Sequence, residues 1–224
     1  MRKSFKFLFY LIVSIGFSVV HAGVYEDFFR SIHANDVDSV RYLVEERGVD
    51  PNWPNEKGQP ALTLSLLIES HAVASYLARL PQTRTETPNL ASETALMLAA
   101  LTNRMDVAQA LIDKGAEINR QGWSALHYAA TNGHVQMMRL LLDNNAYLDA
   151  EAPNGNTPLM MAVQFGSPMA VKLLLEEGAD PNVQNNFGQT AMDLAQKRND
   201  PMMIHFIQAF LAAWKHNEAA DALR

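Results

Sequence analysis

Ser124-Ala125-Leu126-His127-Tyr128-Ala129-Ala130, followed by Asn132-Gly133-His134-Val135, decides how this chain folds, because the stretch recurs. Thr157-Pro158-Leu159-Met160-Met161-Ala162 repeats its frame. So do Thr94-Ala95-Leu96-Met97-Leu98-Ala99 and Thr190-Ala191-Met192-Asp193-Leu194-Ala195, and Pro60-Ala61-Leu62-Thr63-Leu64-Ser65 is a weaker copy. The central apolar residues Leu62, Leu96, Leu126, Leu159 and Met192 are spaced by 34, 30, 33 and 33 residues. Such a period marks stacked supersecondary units.

Each residue type in the frame has a physical task. Ser or Thr starts a helix because its hydroxyl satisfies a free backbone N–H, and Pro is tolerated in the first turn. Small alanines after the leucine let helices approach closely. A second signature follows each copy: Gly178-Ala179-Asp180-Pro181-Asn182 is matched by Gly115-Ala116-Glu117-Ile118-Asn119 and, more loosely, by Asn145-Ala146-Tyr147-Leu148-Asp149. Gly48-Val49-Asp50-Pro51-Asn52 closes an N-terminal unit that lacks the first signature. Gly, or Asn as next best, takes the left-handed conformation that stops a helix. Between the signatures apolar residues keep helical spacing; Val135, Met138, Leu141 and Leu142 form one expected buried face.

These residues resemble the ankyrin repeat, whose unit carries a Thr-Pro-Leu-His-x-Ala turn and two antiparallel helices. The match runs over residues 24–215. The resemblance implies an all-α solenoid of stacked helix-turn-helix units with short β-turn tips, and a concave face formed by the tips and first helices. The expected units are 24–57 (a cap), 58–91, 92–121, 122–154, 155–187 and 188–215, with a polar tail at 216–224. The cap should turn Glu26, Asp27, Arg30 and Asp38 outward. The last unit should end in a long helix with Met203, Phe206, Phe210 and Trp214 along one side.

The first residues carry a different signal. Arg2, Lys3 and Lys6 precede a nearly unbroken apolar run over residues 7–20, and Val20-His21-Ala22 places small residues before a cut. That order predicts a secretory signal peptide at 1–22, cleaved after Ala22. As a helix the run reaches only about 21 Å, short of the ~30 Å hydrocarbon core of a bilayer. Its short segments look bacterial and point to the periplasm, with secretion further out left open. The absence of cysteine excludes a lipoprotein and a disulfide framework, so stability must come from core burial. Removing Arg2, Lys3 and Lys6 leaves 15 basic against 24 acidic residues, a net charge of −9. This argues against nucleic acid and permits a basic protein partner. No other apolar run is long enough to embed the mature chain in a membrane.

Departures from the repeat are where individuality lies. The loop at 81–89 has Pro81 where other units have Gly or Asn, and reads as drift or as a projecting contact loop. The junction at Asn119-Arg120-Gln121-Gly122 is three residues short and should leave a notch in the row of tips. Trp123 follows it, either as an exposed anchor or lying flat on the shortened loop. Trp53 and Phe187 sit in other turns and are read as binding residues, whereas Phe165, at the end of a first helix, is read as local packing. The residues expected to meet a partner are Trp53, Lys57, Gln59, Arg120, Trp123, Asn132, Asn154, Asn156, Phe187 and Gln189.

Catalytic and metal chemistry is weakly supported. His127 belongs to the turn motif, where its ring should bond neighbouring backbone, and His134 follows Gly133 in another repeat position. Neither has a second ligand at metal spacing on its helix. Met97, His127 and Met160 occupy equivalent positions in successive units, about 8–10 Å apart, too far to share one Cu(I) ion. No nucleophile elbow or Gly-rich phosphate loop occurs, and no cofactor is expected. The expected function is a periplasmic module that docks a folded protein on its concave face, as a monomer or in a hetero-complex. The resemblance further implies support of a periplasmic stress-defence enzyme, including catalase-type defence. The alternative is an immunity protein that neutralises a toxin, its acidity suiting a basic partner.

Overall fold

A computed structural model describes residues 23–221. The expected signal peptide at 1–22 and the last residues of the polar tail lie outside these, as does the side chain of Trp214. The described residues are helical throughout, apart from turns and one isolated antiparallel bridge between Pro54 and Pro60. In chain order the helices are α1 (residues 23–33), α2 (Val37–Glu45), α3 (Ala61–Leu67), α4 (His71–Arg79), α5 (Ala95–Leu101), α6 (Met105–Asp113), α7 (Ala125–Thr131), α8 (Val135–Asp143), α9 (Pro158–Phe165), α10 (Pro168–Glu176), α11 (Ala191–Lys197) and α12 (Pro201–Asp221). None is long and apolar enough to cross a membrane. The chain divides into two compact units, Met1–Ala95 and Leu96–Arg224.

In the first unit α4 packs against both α2 and α3. Phe28, Ile32, Val40, Leu66, Val73 and Leu77 form its core, while Glu26, Asp27, Arg30 and Asp38 are exposed. The 81–89 loop is tied down along its first half. With Pro81 in place of a left-handed stop, α4 ends on Leu80 in an extended conformation. The buried Thr83 hydroxyl donates to the Leu77 carbonyl at 2.5 Å, closing the helix end from outside. Asn52 holds the same loop, its Nδ2 donating to Gln82 O (2.9 Å) and its Oδ1 accepting Arg84 N–H (2.8 Å).

In the second unit the first helices α7, α9 and α11 pack in one row, and α8 and α10 pack behind them. Left-handed residues stop the helices as expected: Asn103, Gly133, Gly166 and Asn199 within pairs, Gly115, Asn145 and Gly178 between them. Thr157 and Thr190 cap α9 and α11 through their side-chain oxygens. The buried face of α8 differs from expectation. Met137, Met138 and Leu141 are fully buried, whereas Val135 and Leu142 are only half-buried. A second helix inside a stack meets a neighbour on each side, so its buried arc is wider than one stripe and takes in Met137. Met97, His127 and Met160 are all buried, filling the core.

Candidate functional site

The second unit carries a groove of about 490 Å³ between its turn tips and the ends of α9 and α11. Three aromatic side chains border it. Trp123 follows the left-handed Gly122 and stands edge-on to His127 (5.4 Å between centroids) and Tyr128 (6.4 Å). It is half-buried, and its ring contacts are made with α7 and not with the shortened loop. It also borders a second hollow of about 230 Å³ with Leu101, Thr131 and Met161, and so forms a partition between the two. Phe187 is 75% exposed at a turn tip, its N–H and that of Gln189 both donating to Asn185 Oδ1 at 3.0 Å. Phe165 ends α9 and is 55% exposed. Reading it as local packing was wrong, because the left-handed Gly166 turns the chain away and leaves the ring on the groove wall.

The floor is an amide network. Asn185 Nδ2 donates to Asn156 Oδ1 (2.9 Å), and Asn156 Nδ2 reaches Gln164 Oε1 (3.4 Å). Asn154 Oδ1 accepts Asn156 N–H (3.1 Å), while its carbonyl accepts Asn186 N–H (3.0 Å). The turns close so tightly that a Cβ on Gly155 would lie 2.8 Å from Asn186 N. Asn156, expected to meet a partner, is therefore buried and spent on holding adjacent turns together. Beneath the floor His127 is fully buried. Its Nδ1 accepts from the Ser124 N–H (3.2 Å) and its Nε2–H donates to Asn156 O (3.0 Å), the backbone bond expected of it. Burial pushes its pKa down, with hydrogen bonding to backbone at Asn156 and Ala150 opposing that in part.

The other expected residues are dispersed. Arg120 is half-buried at the shortened junction, and Asn132 is exposed but donates its Nδ2 to Leu101 O (2.9 Å), joining two repeats. Gln189 lines the groove. Trp53, Lys57 and Gln59 belong to the first unit. Trp53 packs against Tyr25 (5.7 Å) and Phe28 (6.3 Å) of α1, and Tyr25 donates its hydroxyl to Pro54 O (3.0 Å). Its expected binding role gives way to a packing one, because α1 supplies an aromatic surface that a cap unit must cover. Lys57 and Gln59 border a separate hollow beside α1, and Gln59 is engaged by Asn55 Nδ2 (3.1 Å). Gln164 and Lys197 on the groove were missed entirely. One signal was available for Phe165: it occupies the repeat position held by Asn132 and Arg198, so an apolar residue stands where its neighbours are polar.

Helix pairs in register, capped by Thr and stopped by left-handed Gly or Asn, define a helical repeat protein with a side-chain-lined groove. The sequence matches the family model described as ankyrin repeats (3 copies) over residues 28–122, 80–152, 119–185 and 146–213. The chain belongs to the ankyrin-repeat family. It is 34% identical over 161 residues to a putative palmitoyltransferase ZDHHC13 of Danio rerio, matching 71% of this chain and 20% of that protein. It is 32% identical over 112 residues to a putative ankyrin repeat-containing protein of Treponema pallidum (strain Nichols), matching 48% of this chain and 38% of that one. The chain thus spans well under half the length of these relatives. The human ASB11 ankyrin repeat domain superimposes with a TM-score of 0.73 at 23% identity, covering 82% of each chain. Ankyrin repeats serve generally as non-enzymatic protein-interaction scaffolds.

Proposed function

We propose that this protein is a periplasmic interaction module that docks a protein partner along the groove of its second unit. The observation that carries this reading is the exposure of Phe165 and Phe187 on either side of an amide-floored groove. Large apolar side chains left exposed together around a concavity mark an interaction surface. The periplasmic address is supported by the basic-apolar-small order of residues 1–22. Support of a stress-defence enzyme rests on the family resemblance alone. The acid excess favours the second reading, an immunity protein for a basic toxin, in which case its gene should adjoin a toxin gene.

The experiment is purification of the tagged protein from its native envelope fraction, with identification of co-purifying proteins by mass spectrometry. A partner retained by the parent and released by Phe187→Ala supports the reading. Failure to retain any protein across a range of salt concentrations rejects it.

A further inference from the structure

The polar atoms of the second unit's groove are unevenly used. Four of its five amide oxygens are engaged within the protein, all but that of Gln189: Gln164 Oε1 and Asn156 Oδ1 accept from neighbouring amides, Asn154 Oδ1 and Asn185 Oδ1 from backbone N–H groups. The donors are not. Among the described residues Gln164 Nε2, Asn154 Nδ2 and Lys197 Nζ have no protein partner, and Lys197 is exposed. Lys197 is also the one charged residue lining the groove, in a chain whose acids outnumber its bases by six. The nearest acid on the same helix, Asp193, has its carboxylate held by the Thr190 N–H (2.8 Å) and hydroxyl (2.7 Å). The result is a locally cationic, donor-rich trough, walled by exposed rings, on an otherwise acidic protein.

A ligand that matches such a trough offers hydrogen-bond acceptors, a negative charge and a large apolar group. An extended polypeptide does so through its backbone carbonyls, which suit free amide N–H groups, and through carboxylate side chains. We propose that this groove receives an extended segment of a partner protein in which a large apolar side chain neighbours carboxylates. The apolar group lies between Trp123, Phe165 and Phe187, and a carboxylate meets Lys197. This rests on the protein-binding reading above and departs from the basic partner that overall charge permits. The local field at the contact, rather than the net charge, sets which segment fits.

The test is selection of a random-peptide phage library on the purified protein, followed by titration of a synthetic enriched peptide. Enriched peptides should pair an aromatic residue or leucine with aspartate or glutamate. Lys197→Glu and Phe165→Ala should each weaken the peptide about tenfold or more, as interface anchors do. Both side chains are exposed, so the helical circular-dichroism signal and melting temperature should hold. Replacing the peptide's acid by lysine should restore binding to Lys197→Glu and abolish it for the parent. Enrichment of basic peptides, parental affinity in both variants, or no enrichment at all overturns the proposal. Each of those outcomes leaves the envelope co-purification to judge the protein-binding reading separately.

Discussion

The side chain of Asn119 clasps the backbone around Tyr147. Its Oδ1 accepts the Tyr147 N–H and its Nδ2 donates to Asn145 O, both at 2.7 Å. Asn52 makes the same pair of bonds to the turn at Gln82 and Arg84 in the first unit. One amide thereby satisfies a donor and an acceptor on the turn of the next repeat. Asn119→Ala should cost about 1–3 kcal/mol, two partly exposed hydrogen bonds at once. Urea denaturation checks this, and Asn119→Asp should recover only part of the loss.

Asp149 stands in the third such position, where its carboxylate accepts the Asp180 N–H (3.2 Å) but has no donor to offer in return. Desolvation, and then the charge of Asp180, raise its pKa, while the Asp180 N–H lowers it. A raised folded pKa means that the contribution is present at low pH and lost as pH rises through that value. At neutral pH the ionised group therefore detracts from stability. Asp149→Asn should stabilise the protein by about 0.5–1.5 kcal/mol at pH 7. The melting temperature should rise by roughly 2–4 °C per kcal/mol. A fall at neutral pH would show that this clasp works differently.

His127 predicts the opposite pH dependence. Its folded pKa is depressed by burial, and Nδ1 already receives the Ser124 N–H, so a proton has no place there. The unfolded chain takes up that proton near the ordinary value of about 6.5. Stability should hold above that pH and fall as the solution is acidified through it towards the lower folded value. Comparing denaturation at pH 7.5 and 5.5 should show this fall in the parent but not in His127→Gln. His127→Ala should cost about 2–4 kcal/mol, since it removes a buried ring and a helix cap together.

The aromatic residues divide by what they touch. Trp53→Ala should lower stability by about 2 kcal/mol, because the ring is half-buried against Tyr25 and Phe28. Phe187→Ala should change it by less than about 0.5 kcal/mol, its ring being largely in solvent. Partner retention should show the reverse order. Equal melting temperatures for the two variants would place Trp53 on the surface.

The repeat was legible because its signals are local. Thr157 and Thr190 cap helices, and Gly133 or Asn145 stops them, wherever the frame recurs. The groove was legible only in part. Phe187 and Gln189 lie in a turn tip, a place recognisable from the frame. Phe165 depends on the direction in which Gly166 sends the chain, and Lys197 on which helix ends share a wall. Trp53 and Asn156 looked like surface groups because spacing along the chain does not reveal what a neighbouring repeat brings to the same spot. A tryptophan reads alike whether an α1 aromatic cluster or water lies over it.

Asn182 occupies the same position as Asn52 and Asn119, and its Nδ2 donates back to Asp180 Oδ1 (3.0 Å) within its own turn, as that of Asn52 does to Asp50 Oδ1 (2.8 Å). Among the described residues the tie between successive repeats is made on one side of this turn, through Asp149, and Asn182 makes no forward bond like that of Asn52 to Gln82 O. Amide hydrogens of α11 and α12 should accordingly exchange with solvent sooner than those of α7 to α9. The order in which the segments open would follow from which turns are sewn forward to a neighbour.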